Sequence, residues 1–222
     1  ENAYGKNDWT TARLMKLLNP SDYYTTDSND NGLGQSLYYN SASGKCYSGS
    51  GNATVDCDFT STGIKNDTTR NLISEETWNI GGWNSSKIYS DQMYAYERGT
   101  TVYSGRPTTW TGKIALAYPS DYGYAADLSQ CSKNLYGYND STCTSNNWMR
   151  TYMWKWLLTS NSDNLYGAWY VTASSYVNEG TRAGYDNNVY NAGDVFPVLY
   201  LVSNLILNSG DGSSSNPYQL SV

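Results

Sequence analysis

The chain has no histidine, only five glutamates and only two phenylalanines, and charged residues make up 15% of it. Without histidine, Ser–His–Asp and Cys–His relays are excluded in their usual forms, as are most catalytic zinc sites. A glycosidase needs two carboxylates across the scissile bond. Glu75 and Glu76 are neighbours that point in different directions on an expected helix, and most of the aspartates, such as Asp140 and Asp211, sit in turn-like contexts. No acid/base pair stands out, so the reading is that the protein is not an enzyme; a hydrolase built on an unidentified Asp pair is the weakest alternative. Basic residues are scarce and scattered, 14 against 20 acidic ones, for a net charge of −6 and a pI near 4.5. That leaves no positive footprint for nucleic acid. No apolar run approaches the roughly 20 residues that span a bilayer; the longest, VFPVLYLV at 195–202, is strand length. No signal-peptide pattern is present. The opening ENAYGKNDW reads as the interior of a longer protein or a processed N-terminus, so the expectation is the C-terminal part of a longer surface protein.

What is abundant is tyrosine (23) and tryptophan (8), set among Ser, Thr, Asn and Gly. Such a composition suits adaptable hydrogen bonding combined with rigid aromatic contacts. The four cysteines form two local pairs, each bracketing a polar loop: CYSGSGNATVDC and CSKNLYGYNDSTC. Four cysteines allow three pairings, and the local spacing argues for Cys46–Cys57 and Cys131–Cys143. The spacing is wrong for zinc. Disulfides place the protein outside the cytosol.

Residues 7–19 read as a helix capped by Asn7 or Asp8 and stopped by Pro20, with Trp9, Leu14, Leu17 and Leu18 on one face. Residues 66–79 read as a second helix, capped by Asp67 and ended by the GGW at 81–83, and residues 90–98 as a short third. TTVYSG and GKIALAYPS read as strands, followed by strands at 156–159, 168–173 and 195–201 and shorter ones near 176–177 and in NPYQLSV. Helices first and strands after suggest one α+β domain over 1–222, helices segregated from an antiparallel sheet, with long disulfide-tied loops.

In the run WKWLLTSNSDNLYGAWYVTASSYV, alternation puts Trp154, Trp156 and Leu158 on one side of a strand, and Trp169 and Val171 opposite Tyr170 on the next. Trp156 and Trp169 are expected in the core, where each indole buries about 150–250 Å². The candidate ligand-binding face lies downstream, in the polar excursion 178–194, with Asn178, Glu179, Arg182, Tyr185, Asn187, Asn188 and Tyr190 as contacts; an inert loop is the competing reading. Calcium is the only cofactor candidate. DSNDNG at 27–32 matches the first half of a calcium loop, with Asp27, Asn29 and Asn31 as donors, but position twelve is Tyr38 instead of Glu. An Asx-turn loop is the simpler reading.

The order of motifs carries a resemblance. WKWLLTSNSDNLYGAWYVTASSYV…NAGDVFPVLYL resembles the end of a bacterial surface family of unknown function with a W-W-L-R-S-P strand and a G-V-R-P-V-L-x-L strand. NDWTTARLMKLLNP is similar to that family's first helix, and SGDGSSSNPYQL to its closing tail. The family is distantly similar to the C-type lectin and formylglycine-generating-enzyme fold, and some members carry a prepilin-type helix. The resemblance implies two helices flanking a twisted antiparallel sheet, and display on the surface of a gut bacterium. Two arginines of the pattern are Leu158 and Phe196 here, which suggests that these two apolar residues meet in the core. Together these readings imply a non-catalytic extracellular domain that binds a glycan or protein ligand, adhesin-like; the alternative is a structural subunit of a surface filament or pilus, forming homo-oligomers.

Overall fold

A computed structural model describes residues 6–26, 34–47, 55–179 and 193–222. The first expected helix is two pieces. The Asp8 carboxylate accepts from the Thr10 backbone N–H and caps a 3-10 turn, Trp9–Thr11. Extended backbone at Ala12 then restarts the chain as α1, Arg13–Leu18. The break rotates the apolar face, so Met15 and Leu18 are buried and Leu14 and Leu17 only partly so. Asn19 follows α1 and is fully buried. Its amide donates to the carbonyls of Met15 and Ile114 (3.0 and 2.8 Å), and its Oδ1 accepts from the Lys113 and Ile114 N–H groups (3.0 and 2.9 Å). One side chain thus fastens the helix to a strand of the core.

Strands β1 (Ser43–Tyr47) and β2 (Val55–Asp58) form a hairpin bridged by Cys46–Cys57. Helix α2 covers only Asp67–Asn71, and its cap is Asn66, whose Oδ1 accepts from Thr69 N–H at 2.7 Å. The expected continuation to residue 79 is instead strand β3, Glu76–Asn79. Pairing overrides helix propensity there: β3 runs antiparallel to β4 (Thr109–Gly112), which sets Trp78 directly opposite Trp110. Gly81 and Gly82 therefore end no helix. They let backbones meet, since a Cβ would fall 2.3 Å from the Tyr96 carbonyl oxygen and 2.5 Å from that of Ser160. Helix α3 is Ser90–Glu97, close to its expected span. TTVYSG is a turn leading to Gly105, not a strand. GKIALAYPS divides between β4, β5 (Ile114–Leu116) and α4 (Pro119–Tyr124), which starts at a proline and has the Asp121 carboxylate accepting from Tyr118 N–H.

The second disulfide loop is compact. It holds a 3-10 turn at Leu135–Gly137 and α5, Ser141–Thr144, and it supplies Leu135, Tyr138 and Cys143 to the core. Then come β6 (Lys155–Ser160), β7 (Ala168–Val171), β8 (Val177–Glu179), β9 (Asp194–Val195), β10 (Pro197–Leu199), β11 (Ile206–Ser209) and β12 (Gln219–Ser221). The largest sheet among the described residues has the order β8-β7-β6-β9. It is not wholly antiparallel, because β9 lies parallel to β6. The others are pairs: β1-β2, β3-β4, β5-β10 and β11-β12. The architecture is mixed α+β, with five short α-helices among the described residues where two flanking helices were expected.

The four-stranded sheet separates two cores. On one face Trp156, Leu158, Ala168 and Tyr170 pack with Met15, Leu18, Trp78, Trp110 and Ile114. On the other, Leu157, Trp169, Val171 and Val177 pack with Ile88, Met93, Tyr122, Leu135 and Tyr138. Burial on both faces explains why AWYV is apolar without alternation. Trp156 and Trp169 are both buried, as expected, but on opposite faces. Leu158 belongs to the first core while Phe196 packs against the second. The backbone of Ala117 connects them: its carbonyl accepts from Leu158 N–H and its N–H donates to the Phe196 carbonyl, each at 2.9 Å.

Candidate functional site

Between α5 and β6, exposure alternates along the segment 147–152. Asn147, Met149 and Thr151 point inward; Trp148, Arg150 and Tyr152 point out. The inward residues are well anchored. Asn147 Nδ2 donates to the Tyr122 carbonyl at 2.9 Å, and its Oδ1 accepts from Met149 N–H. Met149 packs on the second core. The Thr151 carbonyl accepts from Ser175 Oγ at 3.0 Å, and the Ser175 carbonyl accepts from the Tyr122 hydroxyl, whose pKa burial pushes up to about 12. Cys131–Cys143 fixes α5 immediately upstream, and Arg150 Nη1 donates to the Thr144 carbonyl.

This scaffold presents Trp148 at 82% exposure, Tyr152 at 69% and Met153 at 57%. Arg150 lies 4.6 Å from the centroid of the Tyr152 ring. Trp, Tyr, Arg and Met are the side chains that interfaces concentrate. Here they are held out from a rigid base, which lowers the entropy cost of capturing a ligand. Trp154 continues the segment inward, with its ring 5.3 Å from that of Trp156 and 4.7 Å from that of Tyr170.

The rim adjoins one end of the excursion read from the sequence as the ligand-binding face. Asp194 N–H donates to the Trp154 carbonyl, and the Asp194 carboxylate lies 3.6 Å from Lys155 Nζ, which in turn stands 4.8 Å from the centre of the Phe196 ring. Of the expected contacts, Asn178 is placed on β8, where its side chain is engaged internally: its amide donates to the Tyr170 hydroxyl and its Oδ1 accepts from Ser86 Oγ. Glu179 is described in its backbone only, as the last residue of β8. Arg182, Tyr185, Asn187, Asn188 and Tyr190 lie outside the described residues, as do Asp27, Asn29 and Asn31 of the calcium-like loop. Among the described residues no cluster of three or more metal-ligating Cys, Asp or Glu side chains occurs.

The strongest perturbed acid lies elsewhere. Glu97, at the end of α3, is fully buried, accepts from Ser120 N–H at 2.9 Å and hydrogen-bonds the Ser120 hydroxyl. Ser120 is buried as well. A carboxyl and hydroxyl both sealed from solvent can join α3 to α4 but offer no approach to a substrate.

Trp148 lies upstream of the aromatic run that begins at Trp154, so that run does not point to it. A usable signal was present in NNWMRTYMW, where interface-type side chains alternate with anchoring ones. Both disulfides match the local pairing expected, and no described helix is long and apolar enough to cross a membrane. The chain matches no family model, no curated protein and no solved structure.

Proposed function

We propose that the protein is a non-catalytic, adhesin-like binding domain displayed outside a bacterial cell, with a C-type-lectin-like build, and that it grips a glycan or protein ligand through the rim formed by Trp148, Arg150, Tyr152 and Met153. The observation that carries this reading is Trp148, an indole left 82% exposed on a segment whose alternate residues are locked into the core. An indole in water forfeits burial worth roughly 25 cal/mol per Å², and an exposed aromatic cluster on a rigid base is the signature of a surface meant to be covered. The two disulfides support an oxidising location.

The test is a binding screen of the chain on arrayed glycans and on extracellular host proteins, repeated with Trp148→Ala/Tyr152→Ala. The expected result is a ligand whose affinity falls at least about tenfold in the double variant, the scale of hot-spot truncation. Ligand binding untouched by the double variant, or turnover of any ligand, would overturn the reading.

A further inference from the structure

The rim carries one charge, and it is positive. Between Asp140 and Lys155 the one charged side chain is Arg150, in a chain whose net charge is −6. The cations nearest to it in sequence are already engaged: Lys133 Nζ lies 3.6 Å from Asp140 Oδ2, and Lys155 Nζ 3.6 Å from Asp194 Oδ2. Asp127, whose N–H donates to the Asn146 carbonyl beside the rim, has its Oδ1 taken by the N–H and hydroxyl of Ser129 (2.9 and 2.7 Å). Among the described residues no carboxylate forms an ion pair with Arg150. Its guanidinium is nevertheless held in place. Nη1 donates to the Thr144 carbonyl on the disulfide-fixed α5, and the group lies over the Tyr152 ring. That leaves Nε and Nη2, the edge of the fork with two parallel N–H groups, without an acceptor among the described residues. Such an edge matches two oxygens of one anionic group. Trp148 is two residues away, so the two Cα atoms lie no more than about 7 Å apart. Its open indole is a flat apolar plate with an electron-rich face.

We propose that the rim binds an acidic saccharide, with one sugar ring lying on Trp148 and its carboxylate or sulfate held by Nε and Nη2 of Arg150. This rests on the rim being the binding surface, and it chooses between the ligand classes that reading leaves open. Size favours a sugar over a protein. A stable protein interface takes about 20–30 residues a side, whereas four side chains are what one or two sugar rings cover. A sugar ring also sets its face of C–H groups on the indole while its hydroxyls stay at the edge, in water. Charge then favours an acidic sugar, since a neutral one would use the indole and leave the guanidinium fork as it is. The rest of the chain is acidic and repels anions at long range. Only a ligand whose anion is placed against Arg150 gains from it.

Arrayed oligosaccharides in matched pairs test this with the full chain: uronic-acid and sialic-acid sugars against their methyl esters, and sulfated sugars against the same chains without sulfate. At least one acidic member should bind, with its neutral twin at least about tenfold weaker; the carboxylate and sulfate arms tell which anion is taken. In titration calorimetry with that sugar, Arg150→Gln should lose at least about tenfold in affinity. Arg150→Lys should recover only part of the loss, because an ammonium keeps the charge without the fork. Lys45→Gln, the same charge removed from the β1-β2 hairpin, should change affinity by less than about twofold. Near-UV circular dichroism checks that each variant is folded. No acidic sugar bound, acid and ester bound alike, or equal losses from Arg150→Gln and Lys45→Gln would overturn the proposal. A ligand lost with Trp148→Ala/Tyr152→Ala but kept with Arg150→Gln would leave the rim as the binding surface and remove the acidic sugar; an acidic sugar kept by Trp148→Ala/Tyr152→Ala would overturn both.

Discussion

The buried carboxyl of Glu97 makes stability depend on pH with a definite sign. Burial raises its pKa from an ordinary 4.5 to about 8, against the opposing pull of the Ser120 hydrogen bonds and of Arg98, whose Nη1 lies 3.3 Å from Oε2. Below pH 4.5 both folded and unfolded chains hold the proton, and the contribution of the neutral buried form is fully present. Between 4.5 and about 8 the unfolded chain ionises while the folded one retains its proton, so stability is lost as pH rises, by up to about 1.4 kcal/mol per pH unit. Across the window the loss is on the order of 4–5 kcal/mol, a large share of the roughly 5–15 kcal/mol that holds a typical domain. Neighbouring Asp121, also pushed up by burial, acts in the same direction. Asp8 is held below the ordinary carboxylate range by Thr10 and Lys6, so its contribution is lost only as pH falls below about 4. Glu97→Gln keeps the shape and removes the titration. Guanidinium unfolding at pH 5, 6.5 and 8 with the disulfides intact should show the wild type weakening steadily, and Glu97→Gln losing much less. Equal slopes in the two proteins, or a wild type that gains stability from pH 5 to 8, would mean that Glu97 is ionised in the fold and that Ser120 and Arg98 outweigh burial.

Two further expectations concern packing. Asn19→Ala removes four hydrogen bonds at a fully buried position and strands the N–H groups of Lys113 and Ile114; chemical denaturation should show a loss of about 2–4 kcal/mol. Trp169→Ala should cost about 3–5 kcal/mol, because the indole is fully buried and its Nε1 donates to the Trp83 carbonyl, whereas Trp148→Ala should change stability by less than about 0.5 kcal/mol. A large loss at Trp148 in the same unfolding experiment would make it a core residue and remove the candidate rim.

The sequence by itself determined what local chemistry controls. Cysteines eleven and twelve residues apart close their own loops, which is why Cys46–Cys57 and Cys131–Cys143 were legible. Asp8 announces a helical turn, α3 stands where its pattern places it, and Trp156 and Trp169 lie inside, as their places in the strand-like aromatic run predict. Only the tertiary structure decided the rest, because each remaining feature depends on a partner remote in the chain. Residues 76–79 became a strand through pairing with 109–112, and the residues of β6 and β7 were divided between two cores by what covers each face of their sheet. Trp148 stands in water because Asn147, Met149 and Thr151 took the anchoring places supplied by Tyr122, Ser175 and the second core. Alternation along a strand says which residues share a side; it cannot say whether another part of the chain covers that side, and that is where burial, and with it the choice between scaffold and binding surface, is settled.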